Sequence, residues 1–290
     1  MRINGKTRVL GIIGWPVAHS LSPVMHNAVI DDLGINFVYV PFPVEPSALG
    51  AAIEGLRRMG VWGFNVTIPH KTAVIPFLDR ITREAELAGA VNTVYRDGEL
   101  LVGHNTDGIG FLSSLRHDLG RDPAGLTVLL LGAGGASRGA LAALAQAGAA
   151  RIIIANRTVE RARGLVDRFA RLFPAVRFDV SSLEENALTT VLKGVELLVN
   201  TTSVGMDGTK FDTVKLSEMC AGAGVYDMVY VPAETPLLAE AAKRGLDRVN
   251  GAGMLAAQGE EAFRVWTGIA PPPDFMKTIL SEELVKLTKY

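Results

Sequence analysis

The sequence has one cysteine, almost no net charge and no long hydrophobic run, and each shortage excludes a class of protein. Cys220 cannot form a disulfide within the chain, and without a CxxC pair we expect no metal site. No apolar segment approaches the roughly 20 residues that a membrane span needs, and the N-terminus does not resemble a secretory leader. A net charge of −1 gives no general attraction to nucleic acid or membrane. We therefore expect a cytoplasmic protein.

Apolar residues, by contrast, are plentiful. They make up 48% of the 290 residues, which is enough for well-filled cores, and a chain of this length favours two domains. Strand-like and helix-like segments alternate along the chain, which predicts an α/β fold. We expect residues 1–106 to form an α/β substrate domain and residues 107–248 a nucleotide domain. Residues 249–290 are expected to form helices that return to the first domain.

Local signals define several elements of the first domain. Ser22 followed by Pro23 predicts a helix start, with serine as the N-cap. Residues 91–104 have the pattern of a hairpin, with Asp97-Gly98 as its turn. A further helix is expected to begin at residues 69–71.

Within the second domain, residues 126–131 (LTVLLL) form an apolar run, as expected for a strand buried on both faces of a parallel sheet. Strand and helix patterns then repeat to residue 243. This rhythm predicts a Rossmann-type, doubly wound parallel sheet.

A glycine-rich loop connects the apolar strand to an alanine-rich helix. Such a turn lets the backbone approach a pyrophosphate and directs the N–H groups of the helix N-terminus at the anion. The alternative is a plain tight turn, but the strand–turn–helix context favours a dinucleotide site. The loop consists of Gly132, Ala133, Gly134, Gly135, Ala136 and Ser137.

The end of the next strand distinguishes NADP from NAD. An NAD site usually has a carboxylate there for the ribose hydroxyl. This chain instead has Asn156, Arg157 and Thr158, with Arg161 in the first helical turn. Cations at a helix N-terminus oppose the helix dipole, and guanidinium groups suit a phosphate. We therefore expect NADP rather than NAD as the cofactor.

Uncharged hydrogen-bonding groups dominate the candidate site of the first domain. Ser20 and Ser22 lie at a helix start, where a carboxylate is readily held. Asn65 and Thr67 alternate along a strand and so share a face. With one lysine and one aspartate added, this set suits a small polyhydroxylated acid.

Eight motifs in family order make the chain resemble the shikimate dehydrogenase family. They are GWPVAHSLSP (14–23), GFNVTIPHK (63–71), AGAVNT (88–93), NTDG (105–108), GAGGASRG (132–139), NRTVER (156–161), YDMVY (226–230) and GAGMLAAQ (251–258). The resemblance implies NADPH-dependent reduction of 3-dehydroshikimate to shikimate, a step of chorismate and aromatic amino acid biosynthesis. The chain departs from the family at Trp15, where Asn is frequent, and at His70, where Phe is common.

The resemblance also implies a role for each matching residue. Lys71 and Asp107 resemble the catalytic pair, and Ser20 and Ser22 the hydroxyls that hold the carboxylate. The implied ligands of the ring hydroxyls and neighbours of the same pocket are Asn65, Thr67, Asn92, Gln258 and Tyr230. The implied neighbours of the nicotinamide are Met228, Gly251 and Met254.

Several alternatives stay open. Lys71 alone or the pair with Asp107 could carry the proton, because burial lowers a lysine pKa while a carboxylate raises it. A quinate/shikimate dehydrogenase with relaxed cofactor choice and a non-catalytic ligand sensor are the competing interpretations. We expect a small-molecule partner and no nucleic acid. The sequence leaves the oligomeric state open, with a homodimer as one alternative.

Overall fold

The computed structural model describes residues 3–287 and divides this part of the chain into two compact units. The first unit contains residues 3–110 and 256–286, and the second contains residues 111–255. Both are α/β, as predicted from the alternation of strands and helices. Among the described residues, no helix is both long and apolar enough to cross a lipid bilayer.

The first unit is built around a six-stranded mixed sheet with the strand order β2-β1-β3-β5-β6-β4. The strands are β1 (Arg8–Gly14), β2 (Phe37–Pro43), β3 (Gly63–Val66), β4 (Arg80–Ile81), β5 (Thr93–Asp97) and β6 (Leu100–His104). The helices between them are α1 (Ser22–Asp32), α2 (Leu49–Arg58) and α3 (Arg83–Ala88), with 3-10 turns at Pro46–Ala48 and Ile75–Phe77, and α4 (Asp107–His117) follows β6. β1, β2 and β3 run parallel, while β5 is antiparallel to β3 and β6.

Local predictions for this unit had mixed outcomes. The hairpin of β5 and β6 is confirmed, with Gly98 at φ +60° in its turn. The capping prediction for Ser22 was wrong, because Ser22 is the first residue of α1 and no side chain caps that helix. The prediction of a helix at residues 69–71 was also wrong. Hydrogen bonds of turns hold this stretch, from His70 N–H to the Thr67 oxygen and from Val74 N–H to the His70 oxygen.

Two C-terminal helices, α9 (Ala252–Thr267) and α10 (Phe275–Leu287), follow the second unit, and residues 256–286 belong to the first. The Trp266 indole N–H donates to the Val94 carbonyl oxygen at 2.9 Å, and Trp62 donates to the Trp266 carbonyl oxygen at 2.7 Å. Gly63 makes room for this packing, since a Cβ there would lie 2.3 Å from Cδ1 of Trp266. Residues 256–286 thus belong to the same unit as residues 3–110, and residues 288–290 of the predicted C-terminal segment lie outside the described part.

The second unit contains a six-stranded, fully parallel sheet with the order β12-β11-β10-β7-β8-β9. The strands are β7 (Thr127–Leu131), β8 (Arg151–Ala155), β9 (Arg177–Ser181), β10 (Leu197–Asn200), β11 (Gly224–Asp227) and β12 (Asp247–Asn250). The helices are α5 (Gly135–Gln146), α6 (Val159–Leu172), α7 (Glu185–Leu192) and α8 (Pro236–Lys243), with a 3-10 turn at Leu216–Glu218. In order of sequence this is the 3-2-1-4-5-6 arrangement of a Rossmann sheet, so the predicted doubly wound fold is confirmed.

The strand order also locates a binding crevice. In a doubly wound sheet, ligands bind outside the carboxyl ends of the strands, where the strand order reverses. Here the order reverses between β7 and β10, which pair from Leu197 with Val128 to Asn200 with Leu131. The glycine-rich loop follows β7 directly and therefore lies at this point.

The two passages of the chain between the units fall within helices. One lies after residue 110, inside α4, and the other before residue 256, inside α9. The sequence indicates breaks at 106/107 and 248/249, close to the starts of these helices. Periodicity marks where a helix begins, whereas the division into units depends on which core each turn of the helix joins.

Candidate functional site

Lys71 and Asp107 form an ion pair in the first unit. Lys71 follows β3 in a turn, and Asp107 is the first residue of α4, just after β6. The ammonium Nζ lies 2.5 Å from Oδ2 of Asp107, and the two side chains are 16% and 5% exposed. The structure thus brings together the two residues predicted to be catalytic, although they are 36 positions apart.

Asn92 holds the other oxygen of this carboxylate. Its amide nitrogen donates to Oδ1 of Asp107 and to the Thr106 hydroxyl, each at 2.9 Å. Asp107 is therefore held from both sides, and Lys71 uses one of its three N–H bonds on it. The other two N–H bonds are available to an oxygen of a bound molecule.

The carboxamide oxygen of Asn92 is also engaged within the protein. It accepts from the Thr106 backbone N–H at 2.8 Å and from the Thr93 hydroxyl at 3.0 Å. With both N–H bonds in use as well, Asn92 orients Asp107 in this structure. Its role as a ligand of a substrate hydroxyl stays a prediction. The amide oxygen of Gln258 lies 3.4 Å from the Asn92 nitrogen, so Gln258 of α9 joins the same network.

Asn65 and Thr67 lie at the carboxyl end of β3. Asn65 is buried and donates to the Asn92 backbone oxygen at 3.1 Å and to the Thr93 hydroxyl at 3.2 Å. Thr67 is half-buried, and a Cβ at Gly14 would lie 2.4 Å from its methyl carbon. Glycine at position 14 therefore leaves the space that Thr67 occupies.

Ser20 and Ser22 lie at the start of α1, where the Ser22 backbone N–H donates to the Ser20 hydroxyl at 3.3 Å. Ser22 is buried and Ser20 is half-buried.

Of the two departures from the family pattern, His70 is buried and its Nε2 donates to the Val44 carbonyl oxygen at 2.7 Å, which is a structural contact. Trp15 is 44% exposed, and its backbone N–H donates to the Ile68 oxygen.

The glycine-rich loop of the second unit begins with a glycine that its conformation requires. Gly132 has φ +110°, a region that side chains rarely adopt. A Cβ there would lie 2.8 Å from both the Thr201 hydroxyl oxygen and the Thr202 methyl carbon. Protein geometry alone therefore accounts for glycine at position 132.

Gly134 is different, because nothing in the protein requires it. Its φ of −94° and ψ of −165° suit any residue, it is exposed, and a Cβ there would meet no atom within 4 Å. Glycine at this position is explained if a ligand approaches the backbone closely, as a dinucleotide pyrophosphate does. α5 begins at the next residue and presents the N–H groups of its first turn. The loop thus fits NADP.

The junction of β8 and α6 fits the additional phosphate of NADP. Arg157, Thr158 and Arg161 are exposed, and Asn156 donates to the Thr158 backbone oxygen at 2.8 Å. Thr158 is the N-cap of α6, yet its side chain makes no capping hydrogen bond. Among the described residues, no carboxylate lies within ion-pair distance of either arginine. Two guanidinium groups and an uncapped helix end suit an anion at this junction, in a chain without excess positive charge.

The three residues predicted beside the nicotinamide lie after β11 and at the start of α9. Met228 and Gly251 are packed backbone to backbone, since a Cβ at Gly251 would lie 2.1 Å from the Met228 oxygen. Met254 is buried in the first turn of α9. Tyr230 also lies in the second unit, half-buried, and burial raises the pKa of its phenol.

Sequence reasoning missed Thr201, which fixes the glycine loop. Its hydroxyl donates to the Leu131 oxygen at 2.8 Å and contacts the Ser137 hydroxyl at 2.5 Å. Ser137 in turn accepts from the Gly134 backbone N–H at 3.1 Å. Its position could have indicated this role, because Thr201 directly follows a buried strand and the carboxyl ends of parallel strands lie at the same edge of a sheet.

Sequence reasoning also missed Asp227, which likewise lies at the carboxyl end of a buried strand. It is buried at the end of β11 and accepts from the Asn200 amide at 2.8 Å, from the Val229 N–H at 3.0 Å and from the Thr235 hydroxyl at 2.6 Å. These bonds tie the loops after β10 and β11 together. Burial raises the pKa of Asp227, and the Thr235 bond acts in the opposite direction.

Three family models match the chain in sequence order. The shikimate dehydrogenase substrate binding domain matches residues 12–94, the shikimate / quinate 5-dehydrogenase model residues 115–205, and the shikimate 5'-dehydrogenase C-terminal domain residues 251–280. Together they cover most of both units.

Individual proteins are similar over nearly the whole chain. A shikimate dehydrogenase (NADP(+)) of Geobacter metallireducens is 57% identical over 277 residues, covering 96% of this chain and 97% of its own. A crystal structure of a shikimate dehydrogenase in complex with NADP+ is 41% identical, with a TM-score of 0.89 and 98% coverage of both chains. The enzyme of Thermus thermophilus, solved with NADP(H) and shikimate, is 36% identical, with a TM-score of 0.84 and coverage of 95% and 99%.

The family models, the sequence identity and the shared fold agree along the chain. The motifs that carried the resemblance lie where the folded chain assembles its polar network and its glycine loop. The chain therefore belongs to the shikimate dehydrogenase family of oxidoreductases.

Proposed function

We propose that the chain is an NADP-dependent shikimate dehydrogenase, which reversibly reduces 3-dehydroshikimate to shikimate. The observation that carries the proposal is the Lys71–Asp107 pair, whose carboxylate Asn92 holds from the other side. Uncharged donors and acceptors surround this pair in the first unit, as a polyhydroxylated substrate requires. The supporting relatives are named for this acid and this cofactor.

The cofactor assignment follows from two fits in the second unit. The open space at Gly134 suits a pyrophosphate, and the two arginines after β8 suit a 2′-phosphate. When bound, NADPH supplies the hydride of the reaction.

Lys71 supplies the positive charge and the proton. As the substrate carbonyl is reduced, negative charge develops on its oxygen, and an ammonium beside that oxygen stabilises the charge. Lys71 can then donate one of the N–H bonds that Asp107 does not use. Asp107 orients the ammonium and keeps the donor paired when no substrate is bound. In the reverse direction the neutral amine accepts the proton of the substrate hydroxyl.

Ser20 and Ser22 are proposed to hold the substrate carboxylate, and Asn65, Thr67 and Gln258 the ring hydroxyls. Tyr230 is proposed to line the same pocket. Met228, Gly251 and Met254 are proposed to contact the nicotinamide. Location in the cytoplasm and a homodimer stay predictions from the sequence.

The acid itself needs a direct test, because one matching family model is named for both shikimate and quinate. The purified chain should be assayed for oxidation of both acids with NADP+ and NAD+, and for NADPH consumption with 3-dehydroshikimate. We expect the highest kcat/KM for shikimate with NADP+.

Each competing interpretation has its own outcome in this assay. Higher kcat/KM for quinate, or equal use of NAD+, would make the chain a quinate/shikimate dehydrogenase. Calorimetric binding of the acid without turnover would make it a ligand sensor. Either result would contradict the proposed function.

A further inference from the structure

A short buried segment, Ala90, Val91 and Asn92, is bonded to both members of the Lys71–Asp107 pair. The Val91 backbone N–H donates to the Lys71 carbonyl oxygen at 2.7 Å. The Asn92 side chain donates to Oδ1 of Asp107 at 2.9 Å. This 90–92 segment therefore holds the backbone of the lysine and the carboxylate of the aspartate.

Asn105 ties the backbone of Asp107 to the same segment. It follows β6, is 3% exposed, and with Thr106 forms the connection from β6 to α4. Its Oδ1 accepts from the Asp107 backbone N–H at 3.1 Å, and its Nδ2 donates to the Ala90 carbonyl oxygen at 2.9 Å. The start of α4 is thus bonded to the 90–92 segment through one side chain.

The direction of both Asn105 bonds can be deduced from the backbone groups. The Asp107 N–H can only donate and the Ala90 carbonyl can only accept, so the amide oxygen faces the first and the amide nitrogen the second. Ionised aspartate would have no donor for the carbonyl, and alanine would have neither group. The position therefore uses both halves of an asparagine amide.

These bonds matter because strand pairing does not set the distance between the two charged residues. Lys71 lies in a turn and Asp107 is the first residue of a helix. Their separation of 2.5 Å between Nζ and Oδ2 thus depends on the bonds to the 90–92 segment. A displacement of about 1 Å in a reacting group can lower a rate about 10²-fold.

We propose that Asn105 is a positioning residue, which holds Asp107 against the 90–92 segment and so sets where Asp107 places the Lys71 ammonium. This inference rests on the proposed function, which assigns the pair to the chemical step. Asn105 acts on the Asp107 backbone, so its effect on the reaction passes through the pair.

The first test compares Asn105→Ala with Asn105→Ser. Alanine removes both bonds, and we expect kcat for shikimate oxidation to fall about 10- to 100-fold with KM within about threefold of wild type. Serine can still accept the N–H two residues on, but it lacks the amide nitrogen that reaches Ala90. We expect Asn105→Ser to be as slow as Asn105→Ala. A serine variant with wild-type kcat would show that the local turn suffices, and would overturn the proposal.

Asn27→Ala is the matched control. Asn27 also uses both halves of its amide within the first unit, accepting from the Tyr39 N–H at 2.9 Å and donating to the Tyr39 carbonyl oxygen at 2.8 Å. These bonds join α1 to β2. The control should lower Tm as Asn105→Ala does, with kcat within about threefold of wild type. An equal fall of kcat in the control would mean that general loosening of the unit explains the loss, and would overturn the proposal.

A double-mutant cycle tests whether Asn105 acts through the pair. In a Lys71→Ala background, Asn105→Ala should lower kcat by less than about threefold, because residues that act as a unit are not additive. A further fall as large as in wild type would overturn the positioning role.

Failure of the proposed function has a different outcome. A wild type that prefers quinate would contradict the assigned acid, while the same comparison of variants, made with quinate, would still decide the role of Asn105. A wild type that oxidises neither acid would contradict both proposals.

Discussion

Lys71 and Asp107 are paired, but their environments differ. The aspartate side chain is 5% exposed and the lysine side chain 16%, and the carboxylate also accepts a hydrogen bond from Asn92. The carboxylate is therefore the fixed member of the pair, and the ammonium is the member that can turn toward a substrate. This asymmetry favours orientation by Asp107 and proton transfer by Lys71.

Lys71→Ala is expected to lower kcat by about 10² to 10⁴-fold with little change in KM, because general acid–base and charge stabilisation act in the transition state. Steady-state kinetics with shikimate and NADP+ would measure both constants. Lys210→Ala is a suitable control, since Lys210 is 73% exposed in the second unit and pairs with a surface aspartate. A Lys71→Ala enzyme with near-normal turnover would remove this residue from the mechanism.

Arg157 and Arg161 are expected to determine the preference for NADPH. Replacing both by alanine should raise KM for NADPH by about 10²- to 10⁴-fold, because each charge-assisted hydrogen bond to a phosphate contributes about 1.5–3 kcal/mol and two are lost. KM for NADH should change by less than about threefold. Arg163→Ala tests whether any exposed arginine of α6 has this effect. Equal responses of the two cofactors would show that the phosphate does not lie at this helix start.

Gly134→Ala tests the glycine loop without disturbing the fold. The backbone conformation at 134 accepts alanine and a Cβ meets no protein atom, so Tm should stay unchanged. KM for NADPH should nevertheless rise about tenfold or more, because the methyl group occupies space that the ligand needs.

Gly164→Ala is the matched control for this substitution. Gly164 lies within α6, and a Cβ there would also meet no atom within 4 Å, so alanine should stabilise the protein by up to about 1 kcal/mol. KM for NADPH should not change in this control. If Gly134→Ala binds NADPH as wild type does, a ligand does not approach the loop backbone.

Periodicity predicted the regular parts of the fold well. The repeat of strands and helices expected up to residue 243 is present, with α8 ending at Lys243, and β7 was recognised because a strand buried on both faces is continuously apolar. The turn at residues 69–71 was misread as a helix start because Pro69 is also typical of the first helical turn. The residues that follow it form hydrogen bonds of turns instead, which place Lys71 next to Asp107.

The site was less predictable than the fold, because its bonds join residues far apart in the sequence. Motifs indicated Asn65 and Asn92 separately, but only the folded chain shows that the Asn65 amide donates to the Asn92 backbone oxygen. Ser22 looked like a helix cap, since serine before proline usually is one. Ser22 is instead the first residue of the helix, and no side chain caps that helix.

His26 makes the stability of the chain dependent on pH. It is fully buried among Tyr39, Phe263 and Trp266, and burial lowers its pKa from 6.5 to about 3. Within the described residues, neither ring nitrogen has a hydrogen-bond partner. The folded protein therefore keeps His26 neutral, while the unfolded chain takes up a proton below about pH 6.5.

The sign of the effect follows from this difference. Between about pH 6.5 and 3 the unfolded state binds more protons than the folded state, so the free energy of unfolding falls as the pH falls. From pH 7 to pH 5, His26 should account for a loss of about 2 kcal/mol. Burial also lowers the pKa of His104, which adds a loss in the same direction.

Urea unfolding of wild type, His26→Phe and His117→Gln at pH 7 and pH 5 would isolate this contribution. Phenylalanine keeps an aromatic ring against Tyr39 but cannot titrate, so the loss between the two pH values should shrink by about 2 kcal/mol. His117 is exposed, and its replacement should leave the loss as in wild type. Should His26→Phe lose as much stability as wild type between pH 7 and pH 5, His26 would have to titrate alike in both states, which is incompatible with a fully buried ring.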